Sequence, residues 1–150
     1  VCDYLLEAGF LDPETSYGLR LERAMAILHE DRLFDADRAI SELRRSANGA
    51  SAGLVLVTLY RDVKTGHLGE AVELFEKNLL LVRRQLGQRI ADAWALVARA
   101  HDLLNNPERA QAAWENATLL LPAAELERRY AEVAALAGKY QPAQIPAEVR

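Results

Sequence analysis

The stretch that most constrains this chain is Ala91–Pro122, ADAWALVARAHDLLNNPERAQAAWENATLLLP. It contains two apolar runs separated by Asn105, Asn106 and Pro107. In the first, Trp94, Val97, Ala98 and His101 fall at i, i+3, i+4 and i+7, one face of a helix. In the second, Ala110, Trp114, Ala117 and Leu121 again share one helical face. Pro107 suits a first helical turn, where its missing N–H costs nothing. Asn106 before it is a residue type that caps helices. Pro122 cannot continue a helix interior but can begin another. The spacing therefore predicts a helix, a tight turn, a second helix and a stop.

The rest of the chain agrees with an all-α class. Ala and Leu dominate its 150 residues, Gly and Pro are scarce, and 51% of positions are hydrophobic, enough for one domain with a real core. The net charge of −4 gives no basic face of the kind that grips a phosphate backbone, so no nucleic-acid partner is expected. Cys2 is the only cysteine, which excludes an intrachain disulfide and a cysteine-rich zinc site. No apolar run reaches the roughly 18 residues of a membrane span. The chain opens Val-Cys-Asp without a signal-type segment. The expectation is an excised piece of a cytoplasmic protein.

Taken in order, Val1–Ala8 carries Tyr4, Leu5 and Ala8 on one side, with Gly9 as a stop. Asp12-Pro13-Glu14 starts the next helix. Leu21, Ala24, Met25 and Leu28 form its face, and Asp35 or Asp37 opens a partner helix with Ala39, Leu43 and Ala47 inward. Asn48-Gly49 closes that pair, and Ser51 caps the next helix, whose face is Leu56, Leu59, Tyr60 and Val63. A turn through Gly66 leads to Ala71 and Phe75, on a helix expected to run unbroken toward Gly87. After the pair at 91–122, residues 122–139 repeat the pattern with Leu126, Tyr130, Val133 and Ala137, and Arg128 and Arg129 on the other side. Residues 140–150, with Pro142 and Pro146, lack periodicity and read as a flexible tail.

At Trp94, Val97, Ala98, His101, Ala110, Trp114, Ala117 and Pro122 the chain resembles the tetratricopeptide repeat family. Val stands for Leu, Ala for Gly and Trp for Phe, while His101 in place of Tyr is the one real departure. The resemblance implies a right-handed α-solenoid of antiparallel helix pairs. It would comprise about three repeats over residues 1–139, with 1–11 the tail of an upstream repeat and 122–139 a terminal capping helix. In this alignment Ala39 and Leu43 stand for the small and large residues of the first repeat, behind a turn a residue or two longer than the pattern. From Ala71 to Ala110 is 39 residues, more than the usual unit of about 34.

No catalytic constellation stands out. His29, His67 and His101 lie in three different units without metal spacing, and no phosphate-cradling loop or nucleophile elbow is present. His101 reads as a hydrogen-bonded core histidine. Glu70 with Glu73, and Glu125 with Glu127, read as solvated helix faces. Arg83, Arg84 and Arg89 read as cations near a helix C-terminus. No metal, cofactor or enzymatic activity is expected.

In the family, the first helix of each pair lines a concave groove. By that resemblance Arg61, Lys64, Asp92, Ala95, Arg99 and Asp102 line it here, with Arg20, Arg23, Ile27 and Val57 nearby, and Arg61, Lys64, Arg99 and Asp102 are expected to sit in water. Family members that grip acidic chaperone tails use a cationic clamp. Asp92 and Leu96 stand where its Lys and Arg would be, so that activity does not carry over. The function implied is a non-enzymatic scaffold that holds a segment of another protein. A small assembly or secretion chaperone and a regulatory domain of a larger enzyme are the alternatives, and oligomerisation is left open.

Overall fold

The computed structural model describes residues 13–46 and 51–143. Every regular element among them is helical. The elements are α1 (Pro13–His29), α2 (Leu33–Ser46), α3 (Ala52–Thr65), α4 (Leu68–Lys77), α5 (Leu79–Leu86), α6 (Ile90–Leu103), α7 (Pro107–Thr118), α8 (Ala123–Arg129) and α9 (Ala134–Ala137). Single 3₁₀ turns at Gly87–Arg89 and Ala131–Val133 precede α6 and α9. The readings of residues 1–12, of Ala47, Asn48 and Gly49, and of 144–150 lie outside the described residues.

Three hairpins share one turn. After α1, α3 and α6 the chain enters the left-handed region at Asp31 (φ 59°), Gly66 (φ 82°) and Asn105 (φ 63°). The next amide reaches back five residues: Arg32 to Ile27 (3.2 Å), His67 to Asp62 (2.8 Å) and Asn106 to His101 (2.9 Å). The left-handed residue itself bonds three residues back, to Leu28, Val63 and Asp102. This double bond is the Schellman closure, which satisfies carbonyls that a helix end leaves free. Glycine takes such a φ without strain, and Asn and Asp tolerate it better than other residues.

Five residues after each left-handed residue stands an alanine, Ala36, Ala71 or Ala110, and all three are completely buried. Four residues on come Ile40, Phe75 and Trp114, also buried. The first pair is therefore aligned on Ala36 and not on Ala39, which is only partly buried, and its turn is no longer than the others. From Ala36 to Ala71 is 35 residues. The extra length before Ala110 goes into α5 and its 3₁₀ turn. The helix expected to run unbroken to Gly87 instead stops at Asn78, whose side chain caps Leu74 O at 2.8 Å, and resumes as α5.

Other local expectations hold or shift by a bond. Ser51 caps α3 by accepting from Leu54 N at 3.3 Å. Pro107 opens α7, but the Asn106 side chain does not cap it; the Asn106 backbone carbonyl accepts from Ala110 N at 2.9 Å. Residues 122–139 do not form one helix, because Tyr130 adopts an extended conformation (φ −135°, ψ 107°) between α8 and the following 3₁₀ turn.

Each hairpin packs on the next. α3 touches α1 and α2 on one side and α6 on the other, while α4 also touches α6. Trp114 is fully buried. Trp94, on the apolar face of α6 in the same hairpin, is instead partly exposed and lies edge-on to Phe75 of the preceding hairpin, with ring centroids 4.7 Å apart. A continuous core runs from Ala24 and Leu28, through Leu56, Leu59 and Leu96, to Leu126 and Leu136.

Candidate functional site

The first helices α1, α3 and α6 present side chains to the C-terminal segment, residues 123–143. That segment returns across all three. Tyr130 is almost fully buried, and its hydroxyl donates to Asp92 Oδ2 at 2.8 Å. Its ring stands edge-on to Tyr60 of α3 (5.0 Å, 85°) and tilts over His29 of α1 (5.6 Å, 33°). The preceding Arg129 reaches Asp92 Oδ1 at 3.2 Å and Glu125 at 3.0 Å. Two residues after Tyr130, Glu132 receives Lys64 Nζ at 2.6 Å and the Tyr60 hydroxyl at 3.1 Å. Further along, Lys139 Nζ and Tyr140 Oη both reach Asp102 Oδ1 at 2.7 Å. Gln141 N then bonds Gln111 Oε1, and Ala143 N bonds Thr118 Oγ1, on α7.

Burial sets the electrostatics. Desolvation, together with the Glu132 charge, pushes the Tyr60 phenol above its ordinary value. Desolvation and Asp92 do the same to Tyr130. Both hydroxyls therefore stay protonated and act as donors, the opposite of what a nucleophilic or basic tyrosine needs. Burial alone would raise Glu132, but the Lys64 and Tyr60 hydrogen bonds outweigh it and hold the carboxyl low. Burial likewise opposes the charge on Lys64, and its bonds to Asp31 and Glu132 more than offset this. Asp102 is also burdened by burial, yet Lys139 and Tyr140 keep it below its ordinary value. Tyr140 is raised to about 12 by desolvation and by Asp102. His29 is lowered, chiefly by desolvation of its ring, and its Nδ1 meets the Tyr60 hydroxyl at 3.1 Å.

The six residues expected to line an open groove separate into three groups. Lys64, Asp92 and Asp102 come together under the C-terminal segment, and Arg99 joins them through Asp102 at 3.2 Å. Ala95 is completely buried and faces no water. Arg61 turns the other way, pairing bidentately with Asp37 of α2 at 2.8 and 3.3 Å. The expectation that Arg61, Lys64, Arg99 and Asp102 sit in water is thus corrected. Asp92 and the side chain of Lys64 are nearly inaccessible, because the chain's own C-terminal segment covers them. Tyr140, placed at the start of a flexible tail, is buried.

The register of the shared turn explains the misassignment of Arg61. Residues equivalent to Asp92 and Ala95 are Gly18 and Leu21 in α1, and Gly53 and Leu56 in α3. These four, with Met25, His29 and Arg89, line an open concavity of about 380 Å³ beside Tyr60. Arg23 and Ile27, expected nearby, open instead onto the cleft between α1 and α2. Tyr60, Tyr130, Glu132 and His29 were missed as site residues. Tyr60 and Tyr130 read as core positions in the apolar stripes, and only the corrected register places Tyr60 beside the groove.

His101 is buried as expected, but its Nδ1 has no hydrogen-bond partner among the described residues. Burial and Arg109 lower its pKa. No group of three or more His, Cys, Asp or Glu among the described residues is placed to hold a metal ion. No described helix is long and apolar enough to cross a membrane. Arg83 and Arg84 occupy the last turn of α5 and are exposed. No protein-family model, curated protein or solved structure matches the chain.

Proposed function

We propose that this chain is a helical-repeat scaffold of the tetratricopeptide type, a non-enzymatic module that holds a segment of another protein against the inner face of its first helices. One observation carries the reading. That face already holds the chain's own segment 129–140, in which an extended Tyr130 is followed by short helical turns, through charged and aromatic side chains from three successive hairpins. Three stacked hairpins with one shared turn, each followed by a buried alanine at the same interval, support the repeat architecture. The site's chemistry supports binding over catalysis. Its tyrosines are held protonated, and its carboxylates are each engaged by a cation or a hydroxyl.

The test is site-specific photocrosslinking. A photoreactive residue at Glu22, which lines the open part of the inner face, should capture partner peptides from a lysate. The same residue at Ala112, exposed on α7, should not. Equal capture at both positions, or capture at Ala112 alone, would contradict the reading.

A further inference from the structure

The segment that covers the inner face is held by contacts that define a ligand. Tyr130 sits between His29 and Tyr60, with its hydroxyl on Asp92. Arg129 shares the Asp92 carboxylate. Glu132 is gripped by Lys64 and Tyr60. Read along the chain, the face recognises an arginine, a tyrosine, any residue and a glutamate. Each charge meets its opposite in a mostly buried setting, where such hydrogen bonds gain strength and wrong partners are penalised.

Two of the receiving residues, Lys64 and Tyr60, also have partners outside the segment, whereas Asp92 is bonded by Arg129 and Tyr130 of the segment itself. Lys64 holds Asp31 at 2.6 Å, and Tyr60 reaches His29. Loss of Glu132 therefore leaves neither group stranded. An element needed only to close the core would not require ion pairs at Asp92, Lys64 and Asp102. Burying charge is costly and adds little over apolar packing.

We infer that residues 129–132 are an intramolecular stand-in for a partner protein's segment of the form Arg-Tyr-x-Glu, which displaces them from Asp92, Tyr60 and Lys64. This deepens the scaffold reading above and rests on it. The cis segment acts as a competitor, so the apparent affinity of a trans ligand falls with the fraction of molecules in which the face is open.

The probe is a fluorescein-labelled peptide with the sequence of Leu126–Tyr140, followed by anisotropy with the full chain. A control peptide carries Ala for the tyrosine and Gln for the glutamate at the positions of Tyr130 and Glu132. Glu132→Ala in the full chain weakens the cis competitor and should tighten peptide binding by about tenfold, a shift expected from raising a sparsely open population. The control peptide should bind neither protein. Equal binding to wild type and variant, or equal binding of both peptides, would overturn the proposal.

Should Glu132→Ala fail to fold, hydrogen exchange on the wild-type chain decides. Saturating peptide should speed exchange in 129–140, and unchanged exchange would overturn the displacement. A dimer that exchanges this segment between two copies, seen by light scattering, would assign the face to self-association and overturn it as well. Capture of a partner through Glu22 alongside a failed peptide would sink this inference alone. Failure of both would remove the scaffold reading too.

Discussion

Trp114 and Trp94 carry the same residue type at matched places in one hairpin, yet they should respond very differently to truncation. Trp114 has no exposed surface, so Trp114→Ala removes a whole indole from a closed core. Aromatic-to-alanine changes in such sites cost about 3–5 kcal/mol, transfer and cavity together. Trp94 is partly exposed and offers an edge-on contact to Phe75. Its partial burial and one aromatic pair amount to about 1.5–3 kcal/mol. For a domain of this size each kcal/mol moves the melting midpoint by about 2–4 °C. Urea unfolding followed by far-ultraviolet dichroism measures both variants, with an unchanged slope as the check on two-state behaviour. Trp114 also buries its indole N–H without a partner among the described residues, so Trp114→Phe discards that donor and should cost less than half as much as the alanine change. The reasoning is refuted if Trp94→Ala proves as costly as Trp114→Ala, which would place the two rings in equivalent surroundings.

The remaining predictions concern the turns and the ionised groups. Gly66→Ala should cost about 1 kcal/mol by thermal unfolding, because φ is 82° while nothing lies within 4 Å of the added Cβ, so backbone strain acts alone. Asp92→Ala should cost about 2–3 kcal/mol, since it leaves the Tyr130 hydroxyl buried without an acceptor. Asp37→Ala, which opens the more exposed pair with Arg61, should cost about 0–1 kcal/mol in the same denaturation assay. His29 and His101 both have pKa values lowered below 6.5 in the folded state, mainly by burial. Their contribution is therefore present above the unfolded value and lost as pH falls through the folded ones. Stability should decline as pH drops below 6.5, and His101→Gln should flatten part of that decline. A pH-independent midpoint in this window would contradict the assignment.

Much of the helical architecture could be read from residue spacing, and the reasons for the misses are physical. The third hairpin was legible because Pro107 anchors its turn and two tryptophans mark its faces. The first hairpin has no such anchor. Ala36, Ala39 and Leu43 share one helical stripe, so sliding the alignment by three residues leaves the apolar face nearly unchanged. That slip misnumbered the first repeat. The break at Asn78 carries neither Pro nor Gly, and is marked by the Asn78 side chain and backbone N–H both bonding Leu74 O. The extended Tyr130 was hidden by the continuing period of Leu126, Tyr130, Val133 and Ala137. The site itself depends on pairs far apart in the chain, such as Lys64 with Glu132 and Asp102 with Tyr140. Periodicity reports which residues are inward, and it carries no information about which inward or charged residues meet.

The claim on which the site and its proposed use both depend is that the C-terminal segment lies across the first helices. Nuclear Overhauser contacts from the Tyr130 ring test it without any substitution. The account predicts cross-peaks from Tyr130 to the rings of both His29 and Tyr60, whose centroids lie 5.6 and 5.0 Å away. A Tyr130 ring with contacts only to its own neighbours in sequence would contradict it.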